Sequence, residues 1–355
     1  MLPFITILIV GLDMNSFIII FGASISTNMD HRYTLIITFL FLSTITLGQK
    51  KYAKSINIED ISEIVEILTS DSLKGREAGT ESGRKASSFI ADFFTKYGLI
   101  PSVKVDDNMS YFQKVPLRGK EYTYNVLGFI KGSTYPNEMI IISAHYDHLG
   151  VKRGEMYRGA DDNASGTSAL MEIGQAFSIA VKDGKPPKRS ILLLALGAEE
   201  KGLIGSAYYA DEDPIYSLKN TVANLNMDMV GHLDELHPKD PNFVSIVGSD
   251  WQSTELHRIH EKANKEFVGL ELDYTFNSIN HPERFFYRSD QYNFAKHGIP
   301  VIFYTSGDHH DYHKPTDTIE NLEYDRIQKV AQLVFYTAWE VANRDKRIIV
   351  DKTIR

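Results

Sequence analysis

Residues 139–150 read MIIISAHYDHLG. Met139 to Ile142 form the kind of unbroken apolar run that a strand buried on both faces requires. The run stops at Ser143-Ala144, and His145, Tyr146, Asp147 and His148 follow at once. Ionisable groups are costly to bury unless they are paired or bound to something. A strand ending in such a burst either surfaces there or presents its end to a ligand.

Working outward, the pattern repeats. RSILLLALGAEE (189–200), VANLNMDMVG (222–231) and PVIFYTSG (300–307) are further apolar runs, and residues 125–130 read as a strand before the turn KGSTYPN (131–137). Helical spacing of apolar residues occupies 59–68, 81–97 with Gly98 as its C-cap, 164–180, 253–267 and 326–342. Strands alternating with helices predict a three-layer α/β/α domain with a mostly parallel central sheet. Ligands in such folds bind beyond the carboxyl ends of the strands, so the residues just past each apolar run are the ones that matter.

Those positions hold His145 and Asp147; Glu199 and Glu200; Asp228; and His309, His310, Asp311 and His313 in SGDHHDYHKPTDT, while the loop before the helix at 164–180 adds Asp161 and Asp162 in RGADDNASG. Each has an ordinary explanation taken singly. Asp161-Asp162 could cap a helix, Glu199-Glu200 could start a solvated one, and His148 reads as a solvated loop residue. Together they would repel one another along one sheet edge, and one or two divalent cations remove that difficulty. Imidazole and carboxylate donors without thiolate suit zinc, with manganese or cobalt possible. The number of donors suggests two ions sharing a bridging carboxylate, plus a further carboxylate to take a proton from water. Spacing does not divide these tasks between Glu199 and Glu200, or between Asp161 and Asp162.

Composition limits the alternatives. The chain has 355 residues, 43% of them hydrophobic and 24% charged, as in a globular protein of one large or two small domains. Lys+Arg total 38 against Asp+Glu 46, so there is no basic footprint for nucleic acid. The absence of cysteine excludes disulfides and thiolate metal sites. Residues 1–50 differ from the rest and are read as a leader. Its apolar runs at 2–10 and 16–25 are each shorter than the ~20 residues of a membrane span. A second methionine opens MDHRYTLIITFLFLSTITLGQKK, which has Arg32 near its start and an apolar stretch at 35–47. The expectation is that Met29 is the true start and that 29–49 is a signal removed on export to the periplasm or beyond. The alternative is a membrane anchor, so membrane association is expected only if the segment is retained. Residues 51–345 form one domain and 346–355 a tail.

The motifs AHYDHLG, GADDNASG, GAEEKGLIGS, NLNMDMVG and DYHKPTDT, in that order from Ala144 to Thr318, resemble those of the di-zinc exopeptidases of peptidase family M28, which includes bacterial leucyl aminopeptidases. LKGREAGTESGRKASSFIADFF is similar to the family's N-terminal helix. The resemblance implies the zinc exopeptidase (phosphorylase/hydrolase-like) fold and two zinc ions. One would be held by His145 and Asp228, the other by Glu200 and His313, with Asp162 as the bridge. It also implies that Glu199 is the general base, Asp147 orients His145, and Tyr312 donates to the oxyanion. The implied activity is hydrolysis of a peptide bond near the N-terminus of a peptide or aminoacyl substrate by two-zinc water activation. A glutaminyl-peptide cyclase with one zinc and a non-catalytic receptor-like module of the same fold are the alternatives. Ser289-Asp290 is read as structural or as pocket wall. Tyr274, Phe276, Phe285, Phe286 and Tyr287 are equally compatible with an apolar specificity wall and with ordinary packing.

Overall fold

In the computed structural model the described residues are 49–354, with two short strands before them. Those strands, Ile9–Gly11 and Phe17–Ile19, pair antiparallel, Val10 opposite Ile18. The segment expected to be a signal or anchor lies, all but Gln49, outside the described residues.

From Gln49 onward the apolar runs assemble into a nine-stranded mixed sheet. Its strands are β1 (Ile100–Pro101), β2 (Phe112–Pro116), β3 (Tyr122–Ile130), β4 (Tyr135–His145), β5 (Arg189–Leu196), β6 (Thr221–Met227), β7 (Phe243–Val247), β8 (Glu271–Asp273) and β9 (Val301–Thr305). Their order is β8-β7-β9-β6-β4-β5-β3-β1, with β2 also on β3. The four central strands β9, β6, β4 and β5 run parallel. The antiparallel pairings fall outside them: β5 with β3, β7 with β9, and β1 and β2 with β3.

The stretch that opened the reading, β4, lies at the centre. Ile140 stands opposite Ile191 of β5 and Ala223 of β6; Ile142 stands opposite Leu193 and Leu225. Successive side chains on a strand point to opposite faces. Ile140 and Ile142 therefore join one core, with Leu170, Ile173 and Phe177 of α3 (Gly166–Lys182) and Val330, Val334 and Phe335 of α5 (Tyr324–Asn343). Met139 and Ile141 join the other, with Leu192, Leu194, Tyr209 and Phe294. Two buried faces explain why these strands are unbroken apolar runs rather than alternating ones.

The flanking helices begin and end where their caps permit. The Asn57 side chain accepts from the Asp60 N–H at the start of α1 (Ile58–Leu68). Thr80 does the same from Gly83 for α2 (Glu81–Tyr97), and Gly98 closes α2 at φ 77°, the left-handed conformation that favours glycine. Four boundaries depart from expectation. The turn 131–137 is shortened because β4 already starts at Tyr135. The helix read over 253–267 is α4 (Thr254–Ala263) followed by a wider turn, Asn264–Val268. Strands β7 and β8 lie in a stretch read without any element, because runs of five and three residues carry little periodicity. The tail returns to the domain: Ile348 is buried, the Ser253 hydroxyl donates to the Ile349 carbonyl, and the Asp351 N–H donates to the Gln252 carbonyl. Among the described residues no helix is long and apolar enough to cross a membrane.

The helical layer holds one buried acid outside the strand-end cluster. Glu172 of α3 is fully buried, and its Oε2 accepts from the Asn57 N–H at 3.3 Å while Oε1 has no partner. Burial, reinforced by Asp60, pushes this carboxyl up to about 8. The folded chain thus holds a proton that the unfolded chain releases near its ordinary value, so stability falls as pH rises from that value through about 8. The displacement is worth at most ~5 kcal/mol, and relaxation of the cluster reduces it. Glu172→Gln is expected to be ~2 kcal/mol more stable than the parent at pH about 8.5 and similar to it at pH about 5. Urea denaturation at the two pH values checks this; a parallel loss of stability in both proteins would place the titration elsewhere.

Candidate metal centre

Because β5, β4, β6 and β9 are parallel, their carboxyl ends open on one edge of the sheet. β4 ends in His145, β5 runs through Gly197-Ala198 into Glu199-Glu200, β6 is followed by Asp228, and the loop after β9 carries Tyr312 and His313. Asp161 and Asp162 precede α3. The backbone is bent sharply at these ends. Ala198, Met229 and His313 are left-handed non-glycine residues, with φ of 64°, 61° and 55°. Such residues cost of order ~1 kcal/mol or more each and collect where a site needs particular side-chain directions.

All five residues named as metal ligands converge. His145 Nε2 lies 2.9 Å from Asp228 Oδ1 and 3.4 Å from Asp162 Oδ1. His313 Nε2 lies 3.2 Å from both Asp162 Oδ2 and Glu200 Oε2. The two oxygens of Asp162 thus face two different groups of donors. Asp161 does not enter: its carboxylate accepts from the Gly231 N–H at 2.6 Å and from the Ser306 hydroxyl at 3.2 Å. The choice of Asp162 over Asp161 therefore agrees with the geometry. Glu199 is partly exposed at the same edge, and its N–H donates to Asp147 Oδ1 at 3.1 Å. Asp147 reaches His145 mainly through its backbone: His145 Nδ1 is 3.2 Å from the Asp147 carbonyl and 3.8 Å from Oδ1. Tyr312 stacks on His313 at 3.9 Å between ring centroids, and the Arg288 guanidinium lies 5.5 Å from its ring centre.

The groups perturb one another strongly. Burial alone would raise the Asp162 carboxyl, but His148, His145 and His313 hold it well below its usual range. Glu200 is likewise lowered against burial and against Asp162, by the nearby imidazoles of His148 and His313. Burial would depress His313, yet Asp162 and Glu200 raise it to about 10. Burial of Asp147 pushes it up to about 7, and burial of Glu199, with Asp228, Asp290 and Glu200 nearby, raises that carboxyl well above the ordinary range. Two sets of three donors, His145, Asp162, Asp228 and His148, Asp162, Glu200, each bring their ligand atoms within 4.8 Å of one another. All donors are oxygen or imidazole nitrogen, and buried His148 Nδ1, His148 Nε2 and Glu200 Oε1 have no hydrogen-bond partner. This chemistry fits divalent cations, which would compete with protons for the same lone pairs.

One expectation is overturned. His148 is not a solvated loop residue: its side chain is fully buried, with Nδ1 2.7 Å from Glu200 Oε1. Sequence gave no warning, because the residue follows the strand and has polar neighbours. Of the two readings left open for the aromatic residues, packing holds for two of them. Phe285 and Phe286 are buried in the second core, where Phe286 stacks on Trp251 at 4.1 Å, so these two are packing residues. Ser289-Asp290 is structural: the Ser289 hydroxyl accepts from the Asn226 amide and Asp290 accepts from the Ser206 hydroxyl. His310 is exposed, and His232 and His309 stack with ring centroids 3.9 Å apart. With Asp311, His232 and His309 make a third group of donors whose ligand atoms lie within 4.8 Å of one another, apart from the two that share Asp162.

Two supporting residues escaped notice. Asp317 accepts from the N–H groups of both Asp161 and Asp162, at 2.8 and 3.1 Å, and so sets the direction of the Asp162 carboxylate. Arg76 is fully buried and donates to the carbonyls of Tyr146, Leu68, Arg158 and Gly159. It ties the exit of β4 to the loop that delivers Asp162. Both lie inside quoted motifs, but their partners are remote in sequence.

A mixed α/β sheet whose parallel core ends in two donor groups sharing one carboxylate defines a class of protein: an α/β fold with a candidate two-cation centre at its strand ends. The chain belongs to peptidase family M28, whose model matches residues 125–338. It is 27% identical over 269 residues to the aminopeptidase YwaD of Bacillus subtilis, an alignment covering 72% of this chain and 53% of that one. The chain thus spans about half the length of that relative. Its fold matches the LapA aminopeptidase of Legionella pneumophila, with a TM-score of 0.66, 21% identity, and coverage of 84% and 75% of the two chains. It also matches the glutaminyl cyclase of Porphyromonas gingivalis, with a TM-score of 0.61, 17% identity, and coverage of 80% and 98%. Fold alone therefore does not choose between hydrolysis and cyclisation.

Proposed function

We propose that this chain is a metal-dependent exopeptidase, an aminopeptidase hydrolysing peptide bonds near the N-terminus, with two zinc ions and Glu199 as general base. The observation that carries the reading is the position of Asp162, whose Oδ1 lies 3.4 Å from His145 Nε2 and whose Oδ2 lies 3.2 Å from His313 Nε2. His145 and Asp228 would hold one cation and Glu200 and His313 the other, with Asp162 shared. When bound, the ions would polarise the scissile carbonyl and acidify the attacking water. Glu199, at the same sheet edge, would accept a proton and pass it to the leaving amine. Burial and the neighbouring carboxylates raise Glu199 above the ordinary carboxylate range, which favours a group that must hold a proton before releasing it. Asp147 keeps His145 in one tautomer through its carbonyl and holds the Glu199 backbone through its carboxylate. Tyr312, its phenol kept neutral by burial, donates to the developing oxyanion.

Aminopeptidase is favoured over carboxypeptidase because Arg288, the arginine beside Tyr312, is already engaged by Asp308 through two hydrogen bonds of 2.9 and 2.8 Å. Hydrolysis is favoured over one-zinc cyclisation because both donor groups are complete. A receptor-like module would have no need of Glu199. Assay against aminoacyl amides, dipeptides and N-terminal glutamine peptides, with and without a chelator, is expected to give chelator-sensitive amide hydrolysis. Ammonia release from the glutamine peptides alone would favour the cyclase. We further propose export through residues 29–49; N-terminal sequencing of the mature protein that still finds them would count against cleavage.

A further inference from the structure

We propose that His148 is a direct ligand, through Nδ1, of the cation held by Asp162, Glu200 and His313. This rests on the two-cation reading above and adds a donor to it. The ring is wholly buried, and Nδ1 lies 2.7 Å from Glu200 Oε1 and 3.6 Å from Asp162 Oδ2. A hydrogen bond to Glu200 would account for the first distance, but neither His148 Nδ1 nor Glu200 Oε1 has a partner with hydrogen-bond alignment. The two atoms are close without pointing at each other, as donors aimed at a common third point are.

The spacing of the surrounding atoms is compatible with this. Donors ~2.0–2.2 Å from one five-coordinate ion, with the fifth position left for water, stand ~2.8–3.8 Å apart where they are not opposite one another. The pairs His313 Nε2–Asp162 Oδ2, His313 Nε2–Glu200 Oε2 and His148 Nδ1–Asp162 Oδ2 measure 3.2, 3.2 and 3.6 Å, and His148 Nδ1–Glu200 Oε1, at 2.7 Å, would open slightly on binding. The backbone is shaped to admit the ring. Gly159 has φ +60°, and a Cβ there would stand 2.4 Å from His148 Cγ, so no other residue fits. The two cations are then held unequally, one by three protein residues and the other by four.

The test uses the absence of cysteine from the chain. In His148→Cys the introduced thiolate is the only one in the chain. Nδ1 is the ring nitrogen nearer the backbone, and the zinc–sulfur bond is longer, ~2.3 Å against ~2.0–2.1 Å, so a thiolate spans a similar distance. The metal-stripped full chain, titrated with Co²⁺, should develop a near-ultraviolet sulfur-to-cobalt charge-transfer band that saturates with one of the two bound equivalents. In His148→Gln, chelator competition should show one zinc equivalent weakened at least ~100-fold, beyond the ~10–100-fold typical of residues that only orient a ligand. A His148→Cys protein that binds two cobalt ions without the band overturns the proposal. So does a His148→Gln protein that binds both zinc ions with parental affinity. A parent chain that binds no zinc removes the two-cation reading as well, and so is told apart from failure of this proposal alone.

Discussion

Glu199→Gln is expected to reduce turnover by ~10³-fold, within the ~10²–10⁴-fold range for loss of a positioned general base, while the metal content stays at that of the parent. That fall corresponds to ~4 kcal/mol of lost transition-state stabilisation. The amide keeps the size of the side chain and removes its ability to accept a proton. The fold should be undisturbed, because the contact that ties this residue to the site runs from its backbone N–H to Asp147, not from its carboxylate. Steady-state kinetics with elemental analysis of the same preparation decides the matter. Full activity would take Glu199 out of the mechanism, and lost metal would make it a ligand.

Asp162→Asn is expected to act differently and at least as strongly, removing both cations and with them essentially all activity. One oxygen of the carboxylate lies 3.4 Å from His145 Nε2 and the other 3.2 Å from His313 Nε2. An asparagine keeps one acceptor and turns the other into a donor aimed at a cation. The adjacent Asp161→Asn is the control: its carboxylate faces the Gly231 N–H and the Ser306 hydroxyl, so the metals should stay while stability falls by ~1–3 kcal/mol. Elemental analysis after dialysis, with thermal denaturation, separates the two substitutions. Two ions retained in Asp162→Asn would end the bridging assignment.

Glu199 is legible in the sequence, and the reason is local. A strand buried on both faces leaves a continuous apolar run, and where the run stops the next side chain is at the sheet edge. His145, Glu199, Glu200 and Asp228 were legible on that ground, and the alternation of runs with helical spacing implied the layered α/β fold. The same reasoning missed β7 and β8, which are too short to show a period, and misplaced the start of β4 by treating Tyr135 and Pro136 as turn. The split between Asp161 and Asp162 came from family resemblance rather than from spacing, and the structure supports it by showing where each carboxylate points.

The sequence by itself determined the donor types, the absence of thiolate, the strand ends that carry them and the family motifs in order. Only the tertiary structure decided that His148 is buried against Glu200, that Asp317 and Arg76 hold the Asp162 loop from afar, and that Phe285 and Phe286 pack in a core. The physical reason is range. Periodicity and strand ends express interactions between near neighbours in the chain, whereas burial and hydrogen-bond alignment are set by partners far along it, 156 residues away in the case of Asp161 and Asp317.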